Sequence, residues 1–386
     1  MISVGVNRVG YPEIRNIWSL PLRRYVHRRV LGVYQFPGWL AHQLGRNIDA
    51  RLHNTFRPIG NFGCALHHLF NGVSLGGAPW ISSFETMLPR WSSYPPGCGR
   101  WGDIAPKDLR RGMQLLAGDS CKRLVAISES ASSIQRAFLE AADPAIADAI
   151  MRKVSVLHPA QEVLAGAAQR SWCPGGIVRF CFVGRQFFVK GGAEMLSAFH
   201  QLHRSGQRNW HLHVVSSLET QPERSYLSSM SAERVRQIAA ACRPCITIRS
   251  GLSHSAVMAL LQESDVSLLP SYADTYGYVV LESQAAGTPV VTTNVRALPE
   301  LNDDRTGWVV PLSVDDLGYA KIADGPEASS ARARLLEGLA STLESICTNP
   351  EAVRPKALAA LNRVAERHNP ALVAARLESI YDEALR

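Results

Sequence analysis

The chain has 386 residues, 46% of them hydrophobic, 19% charged and 8% aromatic, which is apolar material for two ordinary cores and excludes the low-hydrophobicity, high-charge composition of disordered chains. The formal charge of +8 is unevenly placed, because residues 1–170 carry 20 Lys/Arg against 11 Asp/Glu while the remaining 216 carry 21 against 22. A basic half suits phosphorylated ligands, an anionic membrane surface or nucleic acid, and its sign alone does not choose among them.

In chain order, the first half reads as strands at 2–6, 64–70, 79–84, 124–128 and 154–157, with helices at 107–116 and 130–139, where apolar positions recur three and four apart. The basic run Arg23, Arg24, His27, Arg28 and Arg29 is expected to form a basic, partly amphipathic helical surface. Two prolines and three glycines make 94–102 a loop. The small residues and the Cys-Pro-Gly-Gly turn of 165–176 mark a boundary between a first domain, 1–168, and a second, 176–355.

The second half alternates more cleanly. Strands are expected at 179–183, 210–216, 246–249, 266–270 and 289–293, and helices at 192–203, 232–241, 255–262 and 276–286. Five strands joined by crossovers make a doubly wound parallel sheet. From 328 onward the pattern is mainly helical.

No secretory leader and no run of ~20 apolar residues is read. The eight cysteines are sparse for a disulfide framework. Reduced thiols in the cytoplasm are therefore expected. Cys242 and Cys245 have CxxC spacing, but no second pair or HxxxH stands nearby to complete a metal tetrahedron, so structural placement is expected.

Ligands of doubly wound sheets bind beyond the carboxyl ends of the strands, so the residues just after each strand carry the information. After 179–183 come Arg185 and then Lys190, Gly191 and Gly192 at a helix start. Two cations beside helix-start amides suit a diphosphate. Gly251 and Leu252 precede Ser253, a helix N-cap on the same rim. After 266–270, Asp274 sits at the positive end of a helix opened by Gly277, and Glu282 stands two turns on. Carboxylates so placed can accept from adjacent hydroxyls of a sugar or ribose.

The segment DTYGYVVLESQAAGTPVV from Asp274 resembles the acidic-x7-acidic signature of glycosyltransferase family 4, the retaining glycosyl transferases of group 1. FVGR ending at Arg185, followed by KGG from Lys190, is similar to that family's diphosphate loop. LPE at 298–300 with TGWVVP at 306–311 resembles its later stretch. The resemblance covers roughly 180–311.

It implies an α/β, GT-B fold: two Rossmann-like doubly wound domains facing each other across a cleft, with helices at 356–386 returning to the first. It also implies roles, with Arg185 and Lys190 on the donor diphosphate and Glu282 on ribose hydroxyls. Asp274 would meet the transferred sugar, backbone at Gly251 and Leu252 the base, and amides of Thr275, Tyr276 and Gly277 would orient the donor. The implied reaction moves a hexose from a nucleotide-diphosphate sugar to a glycan or lipid-linked acceptor, retaining configuration without a metal or resident cofactor.

Three positions depart from the pattern. Asp274 stands where glutamate is common, a single Gly10 replaces the glycine pair after the first strand, and Glu85 occupies the place of a frequent histidine. Glu85 either takes over that histidine's function or caps local structure. Of His67 and His68, one faces the cleft side and the other points away, each more in keeping with a packed or hydrogen-bonded ring than with a catalyst. Arg90 and Trp91 are acceptor-side candidates, and Trp80 belongs to the core.

The departures keep a second reading open, a nucleotide-binding scaffold in a glycan assembly complex. A nicotinamide-dependent enzyme is disfavoured by the lack of a GxGxxG turn, and nucleic-acid binding by the lack of an accompanying motif. Peripheral contact with an anionic membrane, at the inner face of the cell membrane, is the expected use of the basic half.

Overall fold

The computed structural model describes residues 1–34, 50–60, 63–91, 104–218, 230–322 and 326–386; the whole of the expected loop 94–102, with Cys98, lies outside them. The chain divides into two compact units, Met1–Ala160 with His368–Arg386, and Gln161–Arg367. The linker expected at 165–176 lies just inside the second unit. Of the helices expected at 356–386, the part up to Arg367 is in the second unit and the remainder in the first.

The first unit is a parallel sheet of six strands, β1 (Ile2–Val6), β2 (Tyr25–Arg29), β4 (Leu66–Phe70), β6 (Trp80–Phe84), β7 (Cys121–Ala126) and β8 (Val154–Val156), in the order β2-β1-β4-β6-β7-β8. A two-stranded ribbon joins β3 (Thr55–Phe56) to β5 (Val73–Ser74). Strands β4 and β6 are buried along their whole length, and Trp80 is wholly buried, as a core residue should be. Helices α1 (Pro106–Ala117), α2 (Glu129–Ala142) and α3 (Pro144–Met151) cross between strands. The Ser128 and Asp143 side chains cap the last two by accepting from Ala131 N and Ala145 N.

The basic run 23–29 is not helical. Tyr25–Arg29 is the edge strand β2, parallel to β1 in the register Ile2↔Tyr25 to Val6↔Arg29. An edge strand needs one apolar face and tolerates charge on its free side, so its arginines mark an edge. Tyr25 and His27 turn instead toward the last helix, α10 (Pro370–Leu385), whose Tyr381 hydroxyl sits 2.9 Å from His27 Nε2 and 2.7 Å from His68 Nδ1.

The other ring nitrogen of His68 lies 2.8 Å from Ser83 Oγ. Glu378 Oε1 accepts from the backbone of Arg23 and Arg24 at 2.6 and 2.7 Å, and Asp382 accepts from Tyr25 Oη at 2.6 Å and pairs with Arg24 at 2.7 Å. Under this polar row, Val373, Leu377 and Tyr381 pack on Val4, Leu66, Ile81 and Val125. His67, on the opposite face of β4, is buried with its ring against Phe56.

The second unit holds a parallel sheet of six strands where five were expected: β9 (Val178–Val183), β10 (Trp210–Val215), β11 (Ile246–Arg249), β12 (Val266–Leu269), β13 (Val290–Thr293) and β14 (Gly307–Val310). Their order is β11-β10-β9-β12-β13-β14. The extra strand is the stretch read only as part of a motif. Four residues of Gly-Trp-Val-Val bounded by polar turns are short for a periodicity signal, and pairing with β13 makes them a strand.

Helices α4 (Gly192–Arg204), α5 (Ala232–Ala241), α6 (His254–Glu263) and α7 (Tyr278–Ala285) are the crossovers, followed by α8 (Pro326–Thr348) and α9 (Val353–Arg367). Asp265, fully buried at the foot of β12, gathers the amides of Cys173 and Arg179 and both guanidinium groups of Arg170 and Arg179, pinning the incoming segment to the sheet. Cys245 N donates to Cys242 O at 2.8 Å, so that pair frames a tight turn into β11.

Candidate functional site

The second sheet grows from its middle. The chain lays β10 and then β11 on one side of β9, and returns to lay β12, β13 and β14 on the other. The loops leaving the carboxyl ends of β9 and β12 therefore part at one place, the switch point where doubly wound sheets bind ligands.

Both loops are tied there. Tyr272 N donates to Val189 O at 3.0 Å. Gly191 has φ of +71°, and a Cβ on it would lie 2.0 Å from Pro270 O. Only glycine admits both that backbone conformation and that approach. The result is one rim carrying Lys190 from the first loop and Asp274 from the second, with Nζ 2.5 Å from Oδ2 and 3.2 Å from Ala273 O. Both side chains are only partly exposed, at 18% and 13%, so the pair lies within the rim rather than on open surface.

Helix α4 opens directly behind Lys190 without a side-chain cap, and α7 opens behind Asp274 in the same way, from Gly277 at φ of +93°. Two uncapped helix starts with a lysine between them form a concentrated positive field. Arg185 begins the first loop with its side chain exposed, and its carbonyl accepts weakly from Ser216 Oγ at 3.5 Å. Glu282 lies on α7 and is buried, 6% exposed. Gly251 is exposed at φ of +69°, and Leu252 packs with Val183 and Val257 over Cys181 and Val215. Ser253 caps α6 by accepting from Ala256 N at 3.2 Å. Thr275 is half-buried, and Tyr276 is buried with its ring 5.2 Å from that of Tyr278.

Lys190 and Asp274 thus meet, while Arg185, Gly251, Leu252 and Glu282 take places along the same sheet and its helices. Glu85 belongs to the first unit. It pairs with Arg90, accepts from Asn71 Nδ2 at 3.2 Å, and its own amide donates to Asn71 Oδ1 at 3.2 Å. Trp91 beside it is buried.

Glu194, which sequence reasoning passed over, is the site's second buried acid. It stands in the first turn of α4, 6% exposed. Burial raises its carboxyl pKa to about 7, against the weaker opposing pull of its own backbone amide, the Tyr272 hydroxyl and Arg332. The same burial and the neighbouring Glu194 push the Tyr272 phenol up. A glutamate three residues into a helix reads as an ordinary dipole partner, and only the folded packing shows it to be enclosed.

Two Rossmann-like units, each built on a parallel sheet and the second with an anion-ready switch point, define the GT-B class. Within it, residues 178–322 of the second unit match the family Glycosyl transferases group 1. The glycogen synthase of Mycobacterium tuberculosis is 30% identical over 135 residues, 35% of this chain and 28% of that protein. The alpha-maltose-1-phosphate synthase of Mycolicibacterium smegmatis is 27% identical over 201 residues, 52% of this chain and 46% of that one. The chain thus spans less than half the length of the curated relatives it matches. In fold, Anabaena HepE in complex with UDP superposes with a TM-score of 0.60 at 12% identity, covering 99% of this chain and 100% of that one.

Proposed function

We propose that the protein is a retaining glycosyltransferase that moves a hexose from a nucleotide-diphosphate sugar to a glycan or lipid-linked acceptor. The observation that carries the reading is the meeting of Lys190 and Asp274 at the switch point, between two uncapped helix starts. Lys190 and Arg185 neutralise the donor diphosphate, and Glu282 accepts from the ribose hydroxyls. Asp274 holds hydroxyls of the transferred sugar. Backbone at Gly251 and Leu252 meets the base, and the amides of Thr275, Tyr276 and Gly277 orient the donor.

The chemistry follows from the charges. Breaking the anomeric C–O bond leaves negative charge on the diphosphate and positive character on the sugar carbon. A fixed cation and fixed amides at the leaving group lower that barrier because they need no reorganisation as charge develops. The acceptor oxygen attacks from the face the diphosphate leaves. The departing phosphate oxygen takes the acceptor's proton, so configuration is retained with no covalent sugar on a carboxylate. Asp274 holds the Lys190 ammonium, and donor binding shares that ammonium between carboxylate and phosphate, bringing sugar and leaving group to one point. Glu85, paired with Arg90, serves the acceptor side in the first unit. The reaction takes place in the cytoplasm, at the inner face of the cell membrane when the acceptor is lipid-linked. No helix among the described residues is long and apolar enough to cross a membrane.

Screening UDP-, GDP- and ADP-sugars for hydrolysis without acceptor tests the reading. One donor is expected to be cleaved, with its nucleoside diphosphate raising the melting temperature, and Lys190→Ala or Glu282→Ala abolishing cleavage. Absence of binding by all three diphosphates at millimolar concentration refutes it. The shorter Asp274 also supports a second reading, a GT-B nucleotide-binding scaffold without turnover. Asp274→Glu separates the two, since it restores cleavage to a disabled enzyme and brings no gain to an adapted one.

A further inference from the structure

Among the described residues eleven large apolar side chains are exposed, and nine of them fall in the first 59 residues. Two of the nine, Met1 and Ile2, lie at the start of β1. Six gather at the opposite end of the sheet. Strands β1 and β2 run parallel and end together, with Val6 beside Arg29 and Val30 N donating to Val6 O at 3.0 Å. The chain leaving β1 presents Val9, Tyr11 and Ile14; the chain leaving β2 presents Leu31 and Val33.

The second of these segments is bridged at Gly32 to Pro58, with Val33 N on Arg57 O at 2.9 Å and Ile59 N on Leu31 O at 3.2 Å, which brings Ile59 alongside. Arg8 Nη1 lies 3.0 Å from His53 Nε2, joining the first segment to the same stretch. These six side chains are between 43% and 64% exposed. Scattered single apolar residues need no explanation, but a gathered set on one rim does.

The charge around this rim has one sign. Among the described residues up to Gly60 there are eight arginines and one acid, Glu13, which is buried. Arg24 is engaged by Glu378 and Asp382 of α10, and Arg51 by Asp108. Arg28, Arg29 and Arg57 are exposed and make no ion pair among the described residues. We propose that this rim, Val9, Tyr11 and Ile14 with Leu31, Val33 and Ile59, is a docking surface for a bilayer bearing acidic headgroups. The apolar side chains enter the headgroup boundary and the three arginines meet the phosphates. A protein partner would need acids opposite these arginines and a shaped apolar face. A bilayer supplies both without a matching surface, which suits side chains spread over three segments. The inference does not depend on the donor assignment.

The test is co-sedimentation of the full chain with vesicles of phosphatidylcholine alone and of phosphatidylcholine with phosphatidylglycerol. Binding is expected only to the second. It should weaken as salt rises and should fall about fivefold for each of Arg28→Gln, Arg29→Gln and Arg57→Gln. The pair Val33→Ser with Ile59→Ser should abolish the part that survives high salt. The melting temperature and its response to UDP, GDP and ADP serve as the fold control, and all these variants should leave both unchanged. Equal binding to the neutral vesicles, no binding, or binding indifferent to the serine pair would overturn the proposal. So would a concentration-dependent dimer that the serine pair dissolves, which would make the rim a contact between copies. Vesicle binding without any response to UDP, GDP or ADP would remove the donor reading and leave the rim standing, and the converse would remove only the rim.

Discussion

Replacing Glu194 by glutamine isolates what burial does to the acid behind Lys190. The folded carboxyl titrates at about 7 because it is enclosed, whereas in the unfolded chain it titrates near the ordinary glutamate value of ~4.3. The folded state therefore keeps a proton that the unfolded state gives up. Its contribution to stability is complete below the unfolded value and is lost as pH rises through 7. Integrated between pH 5 and pH 8, that gap is worth about 2.5 kcal/mol. Glutamine keeps the shape, stays neutral throughout and carries no such penalty. Urea unfolding of the full chain at several pH values should show the wild type losing about 2.5 kcal/mol relative to Glu194→Gln across this range. The variant should be close to the wild type at pH 5 and more stable at pH 8. Parallel curves would refute the argument, because they would mean that Glu194 reaches water and ionises as freely folded as unfolded.

Gly191→Ala should cost about 3 kcal/mol or more, since it adds a left-handed penalty to a collision with the Pro270 carbonyl; Gly206→Ala, with φ of +94° and open space around it, should cost only about 1 kcal/mol by the same denaturation assay. Tyr381→Phe removes the hydroxyl shared by His27 and His68, and should destabilise by about 1–3 kcal/mol while leaving any nucleoside-diphosphate-induced rise in melting temperature intact. Burial lowers the His27 pKa to about 4, so its contribution is whole above the ordinary histidine value and is lost as pH falls through 4; His27→Gln should flatten the acid limb of the unfolding curve. Lys190→Ala should remove donor cleavage and the nucleoside-diphosphate response together, whereas Glu194→Gln should spare binding at neutral pH.

Where hydrophobic periodicity was strong, the elements fell where the sequence placed them: Ile2–Val6, Ala232–Ala241 and Ile246–Arg249 match to the residue. The proximity of Lys190 and Asp274, 84 residues apart, was legible because sheet order follows from alternating strands and helices, and a switch point follows from sheet order. Tyr25–Arg29 was misread because its charges dominate a five-residue window, while its apolar face is completed by α10, more than 340 residues away. The enclosure of Glu194 was invisible for the same reason: a side chain's solvent contact depends on what packs against it, and α8, which carries Arg332, lies far along the chain.

The return of residues 368–386 to the first sheet makes the second unit an insertion within the first, entered after Ala160 and left before His368. At the crossing, His368 Nδ1 rests 2.9 Å from Pro159 O, so departure and return are fastened side by side. A nascent chain emerging from the ribosome can therefore finish its later-encoded half first. The amino-terminal sheet must wait, with the faces of β2 and β4 uncovered, until the final helix is synthesised. Premature termination just beyond Arg367 would spare the second unit and leave the first without its seal.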